Sequence, residues 1–397
     1  MGNSIIVVKK DNQIVTCLAD EKELLTIQVD RDDESRLVGS IYLGRVRNIV
    51  KNINAAFVEI ENKQICYLPL STVSKPYFSD NSEHPIRTGD ELMVQIVKEA
   101  TEVKAPLAAA DITLTGKYLV LSAGSDRIGV SSKIDDEEKR NELKKLISGF
   151  QSPEYGFIVR TNAAGVPAET VKKEAAALVE EFERLKSKAG TRKCFTKLYS
   201  APPSYIFEVR NGYSDGIDFI KTDDKAIYEN IRKYMESTGD SDIDKLVFYE
   251  DERVSLSTVY SIGSQLEKAL KQVVWMDSGA YLVIQPTEAL VSIDVNTGKA
   301  IAGKQDTENT FFKVNLEAAE EIGRQLRLRN LSGIIIVDFI DMKSEEHKKE
   351  LLGRLRSVLE KDRIPAKVVD MTALSLVEIT RKKIRRPLYE QIKDAQG

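Results

Sequence analysis

Between positions 290 and 341 the chain spells out a strand, a helix and a second strand, an order that leaves few ways to fold. In 290–296, alternation puts Leu290, Ser292, Asp294 and Asn296 on one face of an extended strand and Val291, Ile293 and Val295 on the other. The run Ile334-Ile-Ile-Val337 is apolar without alternation, the pattern of a strand covered on both faces, and its acids, Asp338 and Asp341, appear only at its exit. Residues 315–329 carry Leu316, Ala319, Ile322 or Gly323, and Leu326 at helical spacing, with Asn315 placed as a cap and Gly333 just past the end. Strand, helix, strand is the crossover unit of a parallel pair.

Such a unit sets two strand carboxyl ends side by side, and open α/β sheets bind their ligands outside those ends. Asp294, Asn296 and Asp338 are therefore expected to converge. Asp338 and Asp341 are an odd number of residues apart, so an undistorted strand points them to opposite faces and only Asp338 joins Asp294. Two carboxylates and an amide oxygen are hard ligands suited to Mg²⁺, with Mn²⁺ as the alternative, and such ions take the rest of their shell from water and substrate phosphate. Phosphodiester chemistry follows. On the residues alone, the same cluster also fits a turn followed by an acid that ends a buried strand.

At 397 residues the chain should divide into about two to four compact units. Its formal net charge of −4 removes any global basicity, so contact with nucleic acid must be local. Only two histidines are present, His84 in a loop before Pro85 and His347 in a strongly polar run. Phosphodiesters are cleaved either by proton shuttling or by metal-activated water, and this scarcity favours metal. Cys17, Cys66 and Cys194 are too far apart for a Cys-x-x-Cys clip and are expected to be small buried side chains. No stretch is long and apolar enough to span a bilayer and the first residues lack a signal-peptide layout, so a cytoplasmic protein is expected.

Short apolar runs at 5–8, 14–17 and 24–29 suggest an antiparallel meander. Further runs at 41–50, 55–60, 65–70 and 91–98 suggest a small barrel of the OB type, which binds single strands through exposed aromatics and cations. Phe57, Tyr67 and Lys104 are the candidates, with core or turn packing as the alternative for the two rings. Residues 113–195 hold strand-like pieces at 118–121 and 156–160 and a helix over 168–187. Arg160-Thr161 at a strand exit offers a guanidinium and a hydroxyl to a phosphate, although a surface ion pair would use the arginine equally well. Residues 264–273 read as helical, 212–216 as a turn, and Arg381-Lys-Lys-Ile-Arg-Arg386 as a solvated basic face usable against phosphates.

The motifs Gly39-Ser-Ile-Tyr-Leu-Gly44, Ala55-Ala-Phe-Val58, Gly116-Lys-Tyr-Leu-Val-Leu121, Ile158-Val-Arg-Thr161, Thr287-Glu-Ala-Leu290, 292–299, 315–331 and 337–342 together resemble the ribonuclease E/G family over nearly the whole chain. The resemblance implies an α+β multi-subdomain fold. An OB-fold S1 barrel (36–112) is inserted in a ribonuclease-H-like subdomain (1–35 and 206–270), followed by a 5′-sensor (113–205) and a DNase-I-like α/β catalytic subdomain (271–397). It makes Asp294 and Asp338 the Mg²⁺ ligands with Asn296 in support, and Phe57, Tyr67 and Lys104 the RNA contacts, Tyr67 replacing a Phe. Gly116, Val120, Arg160 and Thr161 become the pocket that prefers a 5′ monophosphate. Pro365 stands where the family commonly has a further 5′-end arginine.

The implied activity is endonucleolytic cleavage of single-stranded RNA, rRNA precursors and mRNA, by metal-activated water that leaves 5′-phosphate ends. An RNA-binding protein without turnover, or a metal phosphodiesterase on another nucleic acid, are the rival readings. The sequence stops at Gly397, short of the Cys-Pro-x-Cys link of larger members. No zinc link is therefore expected, a homodimer is left open, and the chain is closest to the short, ribonuclease G-like branch.

Overall fold

A computed structural model describes residues 3–20, 23–32, 37–100, 104–211, 216–238, 240–251, 253–300 and 307–396. The chain forms two compact units, one from 1–32, 217–229 and 245–397, the other from 33–216 and 230–244.

Strands β1 (Asn3–Lys10), β2 (Gln13–Ala19) and β3 (Leu24–Arg31) make the expected antiparallel meander, with Asp11 at positive φ in the first turn. In the second unit, β4 (Ile41–Val50), β5 (Ala55–Glu59), β6 (Ile65–Pro69), β7 (Glu91–Lys98) and β8 (Leu107–Ala109) pair in the order β4-β5-β6-β8-β7, and β7 returns to β4. This closes a five-stranded barrel, filled by Tyr42, Val58, Leu68, Val94 and Ile96.

The same unit continues with β9 (Thr113–Thr115), β10 (Leu119–Ala123), β11 (Ile128–Val130), α1 (Glu137–Ile147), β12 (Tyr155–Val159) and α2 (Ala168–Thr191). The four strands pair as β11-β12-β10-β9, and Leu119, Leu121, Phe157 and Val159 pack with Val171 and Phe182 of α2. Then β13 (Lys197–Tyr199) adds to β4, and α3 (Ser204–Asn211) follows. Of the turn read at 212–216, residues 212–215 lie outside the described residues.

In the first unit, β14 (Ile217–Thr222) lies parallel to β1 and β15 (Leu246–Phe248) parallel to β14, with α4 (Lys225–Thr238) between them in sequence. The resulting sheet runs β15-β14-β1-β2-β3. After α5 (Leu256–Val259), α6 (Ile262–Leu270) is shorter than the helix read over 264–273. Lys271 is extended and Val273 opens β16 (Val273–Trp275), because Gln272 must turn its carbonyl to the N–H of Ile284 to start a sheet edge.

That sheet is completed by β17 (Tyr281–Pro286), β18 (Val291–Asn296), α7 (Thr307–Leu328), β19 (Gly333–Asp338), α8 (Glu345–Glu360), β20 (Ala366–Met371) and β21 (Leu376–Arg381), followed by α9 (Leu388–Gln396). Its order is β16-β17-β18-β19-β21-β20, and β18–β19 is its parallel pair, as the crossover requires. Val291, Ile293, Val295, Ile335 and Val337 pack against Ala318, Ile322 and Leu326 of α7 and Leu355 of α8.

Three expectations fail here. The apolar run 334–337 is not covered on both faces: burial alternates along β19, and Ile334 is 52% exposed. Apolarity reports what a residue tolerates, and the helices cover only one face. Asn315 is no cap, because α7 starts at Thr307 and Asn315 sits two turns inside it, fully buried. The basic run 381–386 is solvated only over its middle, at Lys382, Lys383 and Ile384, and its arginines are structural. Arg381, 3% exposed, pairs with Asp362 at 2.8 Å and donates to Asn330 and Leu331, while Arg385 and Arg386 bond to Gln28 and Asp394. A buried guanidinium persists only where its donors find acceptors.

Burial pushes the thiols of Cys17 and Cys66 up to about 12, and that of the half-buried Cys194 to about 11, as befits packing residues rather than nucleophiles. Among the described residues no helix is long and apolar enough to cross a membrane.

Candidate active site and RNA interface

Asp294 and Asp338 are register partners across the parallel β18–β19 pair, so their backbones lie one strand spacing apart, about 4.8 Å. Both are exposed at the carboxyl ends of their strands. The Asn296 amide, two residues along the same face, donates to Asp294 Oδ2 at 2.7 Å and fixes that carboxylate. Burial holds the Asp338 carboxyl above its ordinary range, and the charges of Asp294 and then Asp341 push it further in the same direction. The parity argument therefore needs amending: β19 ends at Asp338, so the alternation does not extend to Asp341, whose charge still reaches Asp338.

Mutually repelling carboxylates braced by an amide are a donor set that a hard divalent cation relieves, so the residues fit Mg²⁺ or Mn²⁺. Among the described residues no three His, Cys, Asp or Glu side chains gather as a cage. Water and substrate phosphate would complete the shell.

Two residues of α7 brace the segment behind Asp338. Asn315 donates to the Ile340 carbonyl at 2.8 Å and accepts the Ile340 N–H at 3.1 Å. Glu308 accepts N–H groups of Lys343 and Ser344, bonds that hold its carboxyl below the usual range against a smaller opposing effect of desolvation. Periodicity had placed Asn315 at a helix end, and only its position in the buried stripe of α7 hinted at this role. After Asn296 the chain turns through Gly298 at φ +50°, where an added Cβ would lie 2.3 Å from the Gly279 carbonyl.

On the barrel, Phe57 and Tyr67 are register partners with ring centroids 6.0 Å apart at 68°. Both are half-buried, on the face opposite the core residues Ala56, Val58, Cys66 and Leu68, so they are not core packing. The Tyr67 N–H donates to the Pro106 carbonyl at 2.8 Å, which runs the segment after the exposed Lys104 alongside it.

Arg160 leaves β12 with its guanidinium donating to the carbonyls of Gly116 at 2.7 Å and Lys117 at 3.2 Å, and to Asn211 Oδ1 at 2.6 Å. Thr161 shares a hydroxyl contact of 3.0 Å with Ser131. Val120 opposes the exposed Ile158 across β10–β12. Beneath them the buried Glu174 of α2 accepts N–H groups of Lys117, Tyr118 and Leu119 at 2.6 to 2.8 Å, although burial raises its carboxyl above the ordinary range. Gly116 is required there, because a Cβ would sit 2.4 Å from the Glu174 carboxyl carbon. Nothing in the residue pattern pointed to Glu174 or Asn211: an Ala, Glu and Lys-rich helix reads as a solvated face.

Comparison with known proteins gives the family. Residues 113–384 match the ribonuclease E/G family and residues 37–106 match the S1 RNA binding domain. Ribonuclease G of Escherichia coli (strain K12) is 33% identical over 376 residues, covering 92% of this chain and 76% of that protein. Ribonuclease G of Haemophilus influenzae is 32% identical over 394 residues, covering 96% and 80%. Ribonuclease E of Escherichia coli (strain K12) is 31% identical over 399 residues, covering 98% of this chain and 38% of that protein. The resemblance read from the motifs is borne out, and the chain belongs to the ribonuclease E/G family, with an S1 RNA-binding domain in its barrel.

Proposed function

We propose that this family member is a Mg²⁺-dependent endoribonuclease that cleaves single-stranded RNA, with rRNA precursors and mRNA in the cytoplasm as its substrates. The observation that carries the reading is the register of Asp294 with Asp338, braced by Asn296. A cation bound there supplies charge neutralisation at the phosphoryl group and an activated water. Asp294 and Asp338 hold the position of that charge, and Asn296 keeps Asp294 from rotating away. Water would add to phosphorus as the P–O3′ bond breaks, giving up a proton to solvent while the departing 3′-oxygen takes one up, so the upstream fragment ends in a 3′-hydroxyl and the downstream fragment keeps the phosphate on its 5′ end. Phe57 and Tyr67 give the strand stacking surfaces on the barrel and Lys104 a nearby cation.

Arg160 and Thr161, beside Gly116 and Val120, favour a 5′ monophosphate, since a guanidinium already oriented by carbonyls loses little freedom on taking a phosphate. The subdomain assignment made from the motifs belongs to the same proposal: ribonuclease-H-like over 1–35 and 206–270, sensor over 113–205, DNase-I-like over 271–397. The separate five-, four- and six-stranded sheets support it.

The test is cleavage of 5′-monophosphorylated and 5′-hydroxyl AU-rich oligonucleotides with Mg²⁺, with Mn²⁺ and with EDTA, alongside Asp294→Asn. Metal-dependent products with 5′-phosphate ends are expected, formed faster from the monophosphorylated substrate. Cyclic-phosphate ends, or activity that persists in EDTA or in the variant, would overturn the reading.

A further inference from the structure

The open face of the six-stranded sheet carries an aromatic pair in line with the acids. Trp275, on the edge strand β16, has Tyr281 as its register partner on β17, and Tyr281 opposes Asn296 on β18. Register partners share a face, so the two rings and Asn296 form one row across three strands, ending on the amide that holds Asp294. The ring centroids are 4.9 Å apart with planes at 50°.

The fold does not need Trp275. Its neighbour Val274 supplies the core contact of β16, whereas Trp275 is 64% exposed. An indole left in water on an edge strand forgoes the burial that usually justifies it. Tyr281 lies beside the Gly298 turn, which passes so close that an added Cβ would be 3.3 Å from its ring. The result is an aromatic surface one strand from Asp294, one of the two acids that would hold the cation.

We propose that Trp275 and Tyr281 are a stacking platform for a nucleobase next to the scissile phosphate, an inference that rests on Asp294 and Asp338 being the cleavage site. A base whose phosphate is drawn to a cation held by the acids would be tethered beside the platform, and every base offers a face to an aromatic ring. The platform thus adds a subsite within the cleavage site itself, separate from the rings of the barrel. Larger bases overlap the indole better, so purines are favoured there.

Trp275 is the only tryptophan of the chain, so its fluorescence reports the platform alone. Titrating the Asp294→Asn protein in Mg²⁺ with a single-stranded RNA oligonucleotide should quench that fluorescence along the same curve as binding measured by anisotropy. In the otherwise native enzyme, Trp275→Ala should lower kcat/KM about tenfold, mostly through KM, and flatten the preference for a purine beside the cut, while Trp275→Phe restores most of both. Unchanged fluorescence on a fully bound oligonucleotide, or unchanged KM and preference in Trp275→Ala, overturns the platform. So does fluorescence that changes on diluting RNA-free protein, which would give the ring to a second copy of the chain. Absence of cleavage by the native protein would instead sink the activity reading, and the fluorescence titration would still decide the platform.

Discussion

The acids of the six-stranded sheet and Arg160 of the four-stranded sheet both stand where strands end, yet they are held in opposite ways. Asp294 and Asp338 are placed by backbone register, left exposed, and set against each other by charge. Arg160 is tied to two carbonyls and an amide, above a buried carboxylate that grips three N–H groups. On the proposed reading, one site is incomplete until a cation and phosphate arrive. The other has its geometry fixed in advance, so removing its supports should cost stability and selectivity rather than chemistry.

Asp294→Asn tests the first half of that contrast and should show the largest effect. Cleavage should fall about a thousandfold or more, because one of two charges holding the cation is gone. Thermal stability should not fall, since an exposed, repelling carboxylate has been neutralised. A variant that loses activity by unfolding would break the contrast. Next comes Glu174→Ala, which strands three buried N–H donors and should destabilise the second unit by about 3 kcal/mol or more in urea unfolding. A stability loss under about 1 kcal/mol would mean that water replaces the carboxylate there and that the support is not prepaid.

Asn315→Ala sharpens the comparison from the catalytic side. Losing the two hydrogen bonds to Ile340 should cost about 1–3 kcal/mol and raise the Mg²⁺ concentration needed for half-maximal cleavage, with excess Mg²⁺ recovering most of the rate. A rate that excess Mg²⁺ leaves low would put Asn315 in the core and outside the site. The smallest effect belongs to Asn211→Ala, which frees one side of the Arg160 guanidinium. The ratio of rates on 5′-monophosphate and 5′-hydroxyl substrates should drop about threefold, the scale of one weakened hydrogen bond, with cleavage of the 5′-hydroxyl substrate unchanged.

What the sequence revealed follows the same division. Alternation in β18 and the helical stripe of α7 were enough to bring Asp294, Asn296 and Asp338 together, because local periodicity fixes a strand's faces and the crossover fixes its neighbour. The barrel strands were legible for the same reason. Partnership was not: whether Ile334 is covered, whether Arg381 is solvated, and what Asn315 touches all depend on segments distant in sequence. Glu174 is the extreme case. A glutamate on an Ala, Glu and Lys-rich helix reads as surface, and only Gly116, which has no side chain to block it, records that something comes close.

The parallel β18–β19 pair also sets an order of events. An antiparallel neighbour can form as soon as a hairpin closes, but Asp338 meets Asp294 only after all of α7 has been made and has docked across the sheet. The barrel that carries Phe57 and Tyr67 lies far earlier in the chain. If these residues carry the roles proposed for them, the protein gains its RNA-holding surface during synthesis well before its cutting pair, so an unfinished chain would grip a transcript without severing it.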